Sequence, residues 1–452
     1  MAQVGTTRGF SGVPGLEFAA RYASCSPSSM CHRVSLGSWG WAFVLGAGAA
    51  SCGGADEPGG TGEYRPEPTG TLKATVQSRE LAPVVNGQDL TALVAGNTEF
   101  ALTLFAEMRE QAPSANIALG PYSISQAMAM LYAGARGLTA MQMREVLRFT
   151  VDPTSFHSTF NGLDLELASR NSDIVLRNAN QAWIDTGFDA NPDYLDVLTR
   201  DYGAPLVELN FAADAEAARG VINQWVSDVT EEKIPSLFPS GSIPSNTVLV
   251  LTNAMYMDAP WKYQFAATST GPAPFTLRDG SSVMVETMRY NEFLPSGLGD
   301  GWQAVELPYR GDEVSMFVVV PENLEQFEAT LTRERLDDVL GSIRDGGIHL
   351  SFPRFTYRFH SSLIEPLEAL GLSSLFSGPD LSGIAGGLAV AAIEHEAFIE
   401  VDEEGTRAAA ATGVAVVASH GPTVQVDRPF LFFIMDKPTG SLLFLGRVLD
   451  PR

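Results

Sequence analysis

An α+β fold, one large domain behind a long N-terminal tail, is what this sequence predicts. Three observations carry it. Helical and strand-like stretches follow one another without the regular strand–helix–strand alternation of a parallel sheet, and the end of the chain is rich in strands. The chain has 452 residues, 45% of them apolar, enough for one sizeable core. No segment repeats at a fixed period, which removes solenoids and propellers from consideration.

Within Leu90–Arg109, the residues Phe100, Leu102, Leu104, Phe105 and Met108 form a helical stripe, so order is expected from near Asp89. Asn116–Leu119 leads into Pro121. Tyr122–Ala135 reads as a central helix, because Ile124, Ala127, Met128, Leu131 and Tyr132 cover most of its sides. Thr139 is expected to cap a helix running to Leu147. Strands are expected at 179–187 and 205–211, a helix over Ala212–Thr230, and a strongly apolar strand over Thr247–Met257. After Trp261 come short strands bounded by turn residues at 272–276, 283–288, 303–308, 314–320 and 347–356, with helical pieces at 323–344 and 361–371. Phe430–Ile434 and Ser441–Arg447 read as closing strands.

Lys+Arg number 29 against 53 Asp+Glu, a net charge of -24. That balance argues against nucleic acid, heparin-like polyanions and anionic membrane surfaces as partners, since phosphate binding needs a basic footprint. The three cysteines are Cys25, Cys31 and Cys52, all in the tail. A disulfide scaffold, a cysteine metal site and a cysteine nucleophile in the domain are therefore excluded. The sequence has no GxSxG, HExxH, Gly-rich phosphate loop or CxxC. None of the six histidines pairs with another at metal-ligand spacing. His395, flanked by Glu394 and Glu396, reads as a hydrogen-bonded structural residue. Asp402, Glu403 and Glu404 are strand neighbours pointing to alternate faces, which does not place two carboxyls on one bond. No catalytic residue, metal or cofactor is expected.

The tail divides into a leader, 1–52, and a flexible tether, 53–88, ahead of a domain over 89–452. Trp39–Ala50 has the length of a signal-peptide core and is too short to span a bilayer. Met30 gives this leader a better start, with Arg33 before the apolar core. Ala49-Ala50-Ser51-Cys52 resembles a bacterial lipobox, in which Cys52 becomes the acylated first residue, held at a membrane by its acyl chains. An ordinary cleaved signal, or a disordered tail with a chance apolar run, are the alternatives. The leader predicts an exported protein, anchored at the outer membrane and facing the periplasm or the outside. From Gly53 to about Thr71 the composition is Gly, Pro and charge, and residues 72–90 either hold one short strand or continue the tether.

Residues 397–418 stand apart. A strand with Ala397, Ile399 and Val401 on one face is followed by a break at Glu403-Glu404-Gly405-Thr406. Arg407, the run Ala408, Ala409, Ala410, Ala411, and then Thr412-Gly413 follow. Taken as a strand, Thr406, Ala408, Ala410, Thr412, Val414 and Val416 share an uncharged face, with Arg407 on the other. Such a segment can enter a sheet without burying a charge. The other reading is a flexible Ala/Gly linker.

The same segment resembles the hinge of the serpin family: an acidic pair, glycine, threonine, then small residues. The likeness extends beyond it. Asn116 with the Pro121-x-Ser123-Ile124 turn, Gly134-Ala135 and Thr139 resembles an early family motif. Ile222–Val226 with Lys233-Ile234, and Leu251–Ala254 with Tyr256 and Trp261, resemble a helix and the central strand after it. Asp427–Phe430 and Leu445–Val448 with Pro451 resemble the C-terminal strands. The likeness covers about 90–452.

The resemblance implies a serpin fold, with a large, mostly antiparallel central sheet, and a monomer whose partner is a serine protease. It implies a suicide substrate: the protease cuts an exposed loop, is held as an acyl-enzyme, and is distorted when the freed loop inserts into the sheet. A non-inhibitory serpin acting as a binding or scaffold protein is the alternative. By the same resemblance, Ser123, Asn253 and His395 lie where the sheet parts, and Trp261 lies near the hinge entrance, close to Glu403. Two residues depart from the pattern. Gly120 stands where serine is usual, which predicts a gap in the hydrogen-bond network, and Arg407 stands where an acidic or polar residue is usual. Counting about sixteen residues from Glu403 places the scissile bond at Ser419-His420, or at Ala418-Ser419 with an offset of one. Small flanking residues there suit an elastase-like or subtilisin-like target.

Overall fold

The computed structural model of the chain describes residues 70–406 and 422–452. In chain order the elements are β1 (Gly70–Thr71), α1 (Gly87–Gln111), β2 (Ile117–Leu119), α2 (Pro121–Tyr132), α3 (Gly137–Val146), α4 (Phe156–Ala168) and β3 (Val175–Asp185). Then come α5 (Pro192–Val197), continuing into a π-helical turn at Leu198–Tyr202, β4 (Val207–Leu209), α6 (Ala215–Val229), β5 (Leu249–Pro260), β6 (Gly271–Thr276), β7 (Ser282–Tyr290), β8 (Ser296–Gly299), β9 (Trp302–Pro308) and β10 (Val314–Pro321). The last part holds α7 (Leu324–Ala329), α8 (Arg333–Ser342), β11 (His349–Pro353), β12 (Phe355–Ser362), α9 (Ile364–Ala369), α10 (Ser373–Phe376), β13 (Val390–Val401), β14 (Gly405–Thr406), β15 (Thr423–Gln425), β16 (Phe430–Asp436) and β17 (Ser441–Val448).

Three sheets organise these elements. The largest has the order β1-β4-β3-β5-β13-β12, with β14 added on β5; the second runs β2-β17-β16-β10-β9-β8, and the third β15-β11-β7-β6. In the largest sheet β3 and β5 are antiparallel, whereas β5 and β13 lie parallel at its centre. The fold is the α+β arrangement expected from the sequence.

Strand β5 shows why its sequence reads as an unbroken apolar run. Leu249, Leu251, Met255, Met257 and Ala259 point into the main core, while Val250, Ala254 and Tyr256 join a second, smaller cluster. That cluster includes Ala218, Ile222 and Val226 of α6 and Ile234, Leu237 and Phe238 after it. Both faces of the strand are covered, so both parities must be apolar.

Several expectations are corrected. The stretch 347–356 is two strands, because the chain changes sheets at Arg354: β11 pairs with β7 and β15, while β12 pairs with β13. The piece 323–344 is two helices, each started by its own side-chain cap, Asn323 on the Gln326 N–H and Thr332 on the Arg335 N–H. Thr139 lies inside α3 and is buried; its Oγ1 accepts from the Asp380 N–H (3.0 Å) instead of capping the helix. Helix α4 was not expected, although Phe156, Phe160, Leu163 and Leu167 form a buried helical stripe. The tether also ends earlier than 88. Strand β1 pairs with β4, and the chain from Leu72 to Val85 is fixed to the domain by contacts with residues more than a hundred positions away as well as nearer ones.

Candidate functional site

The seam between β5 and β13 carries one polar rung in an otherwise apolar sheet. Asn180 of β3 pairs with Asn253 of β5, and Asn253 pairs with His395 of β13. The three side chains share the face that looks toward α2. The reason is parity: Ala182 and Ile184 on β3, Leu251 and Met255 on β5, and Ala397 and Ile399 on β13 all face the same main core.

The rung is closed by hydrogen bonds. The Asn253 Nδ2 donates to Ser123 Oγ (2.7 Å) and to Asn180 Oδ1 (2.7 Å). Ser123 Oγ donates to Asn180 Oδ1 (3.1 Å), and Asn180 Nδ2 donates to the Ser123 carbonyl (3.1 Å) and to Gln126 Oε1 (2.8 Å). Asn253 Oδ1 bonds His395 Nδ1, and the Gly120 N–H donates to His395 Nε2 (3.3 Å). Because Nε2 accepts, the proton of a neutral ring sits on Nδ1 and is donated to Asn253. Ser123, Asn253 and His395 are fully buried.

The structure thus brings together Ser123, Asn253 and His395, three of the residues taken from the sequence. It adds Asn180 and Gln126, which the sequence reading passed over. Both carried a signal: a polar residue on the core parity of a strand, and a glutamine inside a helix that is otherwise apolar or small. Gly120 contributes no side chain to the network. Its own N–H serves His395, and a side chain there would meet the main core, since a Cβ would sit 2.7 Å from Met255 Sδ.

At the upper end of the seam the β5–β13 ladder stops at Phe398↔Tyr256. Beyond it, β14 runs antiparallel to β5, with Thr406 opposite Ala259 and Gly405 opposite Pro260. Gly405 is fitted closely: a Cβ would lie 2.2 Å from the Ala259 carbonyl oxygen. Thr406 is 1% exposed, and its hydroxyl shares a 2.6 Å hydrogen bond with Tyr309 OH. Burial pushes the Tyr309 phenol well up, so it stays protonated. Tyr309 stacks on Trp261, with ring centroids 4.5 Å apart.

Trp261 and Glu403 hold the start of the hinge. The Trp261 N–H donates to the Glu404 carbonyl (2.9 Å), its indole Nε1 to the Asp402 carbonyl (2.9 Å), and the Phe265 N–H to the Glu403 carbonyl (2.9 Å). The Glu403 carboxylate accepts from Arg354 Nε (2.7 Å) and Nη2 and from Thr270. Burial pushes that carboxyl up, and the Arg354 and Thr270 hydrogen bonds together outweigh it, holding it below the usual carboxylate range. Of the hinge residues, Glu403, Glu404, Gly405 and Thr406 lie here. Arg407, Ala408, Ala409, Ala410, Ala411 and Thr412, the bonds Ser419-His420 and Ala418-Ser419, and Cys52 lie outside the described residues.

No group of three His, Cys, Asp or Glu side chains among the described residues has the arrangement of a metal site. Burial lowers the seam histidine, His395, to about 3. Folded below its unfolded value of about 6.5, it contributes stability that is complete above that value and is lost as pH falls toward 3. The slope is about 1.4 kcal/mol per pH unit while the ring is neutral folded and charged unfolded. His157, lowered to about 4 by burial and then by Arg200, acts in the same direction. The thermal midpoint is therefore expected to fall between pH 6.5 and 4, with a shallower fall in His395→Gln. Equal slopes in the two proteins would exclude the histidine as the cause.

The family model described as Serpin (serine protease inhibitor) matches residues 95–451. The chain is 37% identical over 378 residues to leukocyte elastase inhibitor of Sus scrofa, covering 79% of this chain and 99% of the relative. It has the same identity and coverage against leukocyte elastase inhibitor of Homo sapiens. An uncharacterized serpin-like protein of Thermococcus kodakarensis is 34% identical over 391 residues, 84% of this chain and 90% of that one. Among solved structures, uncleaved ovalbumin superposes with a TM-score of 0.74 at 26% identity, over 80% of this chain and all of that one. Native protease nexin-1 with heparin gives 0.73 at 26%, over 81% of this chain and 100% of the other. With a family model spanning the domain and relatives matched along nearly their whole length, the chain belongs to the serpin family of serine protease inhibitors.

Proposed function

We propose that the protein is an inhibitory serpin that traps a serine protease as an acyl-enzyme by inserting its cut reactive loop between β5 and β13. The observation that supports this most is the seating of β14. Gly405 and Thr406 pair antiparallel on β5 where the β5–β13 ladder ends, and two parallel neighbours are what an incoming antiparallel strand needs on either side. Continued by one residue in the same register, an entering Arg407 comes opposite Asp258. Burial, with Glu231, Asp402 and Glu400 nearby, holds that carboxyl above its usual range despite the Tyr256 hydroxyl bonded to it. An arginine arriving there meets unneutralised acid, which gives the unusual basic residue a place in the inserted form.

The reading takes Ser419-His420, or Ala418-Ser419, as the scissile bond and an elastase-like or subtilisin-like protease as the target. It takes the leader as exporting the protein and anchoring it through acylated Cys52, with the inhibitor a monomer and the protease its covalent partner. Incubation with pancreatic elastase, a subtilisin and trypsin, read on denaturing gels and by mass spectrometry, tests it. A band surviving denaturation is expected with one of the first two, with a small C-terminal fragment starting at His420 or Ser419. The same spectra of native protein would carry the acyl mass on Cys52. Cleavage at that bond with no covalent band would leave a substrate in place of an inhibitor.

A further inference from the structure

The segment ahead of α1 lies outside the residues 95–451 matched by the family model, yet it is built into the domain. The Leu72 N–H donates to the Leu206 carbonyl (3.0 Å), and Asp196 accepts from the Thr75 N–H (2.6 Å), the Val76 N–H (3.0 Å) and the Thr75 hydroxyl. The Glu80 N–H donates to the Arg200 carbonyl (2.9 Å), and Asn161, buried in α4, donates to the Glu80 carbonyl (2.7 Å). Two glycines make room for the segment. A Cβ on Gly162 would lie 2.4 Å from Val85, and Gly203, at φ +64°, would bring one to 3.1 Å from Arg79.

Arg79 is where the segment reaches inward. Its Nε donates to Asn161 Oδ1 (2.7 Å), and its guanidinium is ion-paired with Asp164 at 2.7 Å. From Asp164 the contacts continue without a gap. Tyr122 OH donates to Asp164 Oδ1 (2.6 Å), and Gln126 Nε2 donates to Tyr122 OH (3.1 Å). Asn180 Nδ2 donates to Gln126 Oε1 (2.8 Å), and Asn180 Oδ1 accepts from Asn253 at the seam. Tyr122, Gln126, Asn180 and Asn253 are all buried. In such a site a member that loses its partner has no water to replace it, so each bond restricts the next.

We propose that residues 70–85 form a clamp on the parting seam, with Arg79 and Tyr122 as positioning residues that hold Asn180 and Asn253 in the closed arrangement. Release of the clamp lets β5 and β13 separate more readily. The clamp sets how easily the sheet takes up a strand, and in this it rests on the insertion reading above; its effect on seam opening does not.

The test is native-state hydrogen exchange of the full chain, followed on the backbone amides of Thr252–Ala254 and Glu394–Glu396. Arg79→Ala and Tyr122→Phe are each expected to speed exchange there roughly tenfold, with the double variant well short of the product. Arg170→Ala serves as the control, because it breaks the pair with Asp436 of β16 in the second sheet, and the seam rates are compared after each variant's global stability has been measured by calorimetry. Clamped opening predicts that seam exchange in the two clamp variants exceeds that in the control. Equal exchange in all three variants, or independent effects in the double variant, would overturn the proposal. Uptake of a synthetic peptide with the sequence of residues 405–416 is measured on the same proteins. Failure of the unaltered protein to take up the peptide counts against insertion, while the exchange data still decide the clamp.

Discussion

If the loop inserts as proposed, Thr406→Arg is expected to turn a trap for the protease into a substrate that the protease cuts and leaves. Thr406 is enclosed between β5 and the Trp261–Tyr309 stack, with its hydroxyl on Tyr309. A guanidinium there is desolvated without a partner built for it, which costs several kcal/mol. Trapping is a race between insertion and deacylation, and each 1.4 kcal/mol, roughly, added to the insertion barrier slows it tenfold. The covalent band should disappear and the number of inhibitor molecules consumed per protease should rise more than about tenfold. Thr406→Ser keeps the hydroxyl and should behave nearly as the parent. An unchanged stoichiometry in the arginine variant would sink the insertion mechanism.

Asn253→Ala should cause the largest loss of stability. Asn253 is the one residue that touches Ser123, Asn180 and His395 together. Its removal leaves the His395 Nδ1–H without its acceptor and takes a donor from Asn180, all in a dry core. At about 1–3 kcal/mol for each orphaned buried group, the loss is on the order of 3–5 kcal/mol. For a chain of this size that lowers the thermal midpoint by roughly four to six degrees. Calorimetry reads the effect directly. A midpoint within about two degrees of the parent would show that the rung is not what closes the seam.

Legibility in the sequence followed the range of the interactions. The apolar run of β5, the covered helix α2 and the small-residue hinge are local patterns, and they stood out from residues alone. The strap over 70–85 did not, because it is short, follows directly on the Gly- and Pro-rich tether and pairs through only two strand residues. What holds it is partners such as Asp196 for Thr75 and Asn161 for Arg79, distant in the chain and invisible to composition. Asn180 was lost for a related reason: its meaning comes from the neighbours that pairing places on either side. The split at Arg354 was marked only by Pro353, which ends β11, and the partners that separate the two strands, such as Glu403 for Arg354, are distant in the chain.

The glycine at 120 is what leaves room for Met255: a Cβ there would lie 2.7 Å from the Met255 Sδ. Met255 is fully buried, so a side chain at 120 would force the thioether to shift within a packed core. The residues at 120 and 255 are thus sterically coupled: a side chain at 120 needs a smaller one at 255, and shrinking 255 alone would leave a cavity beside the seam.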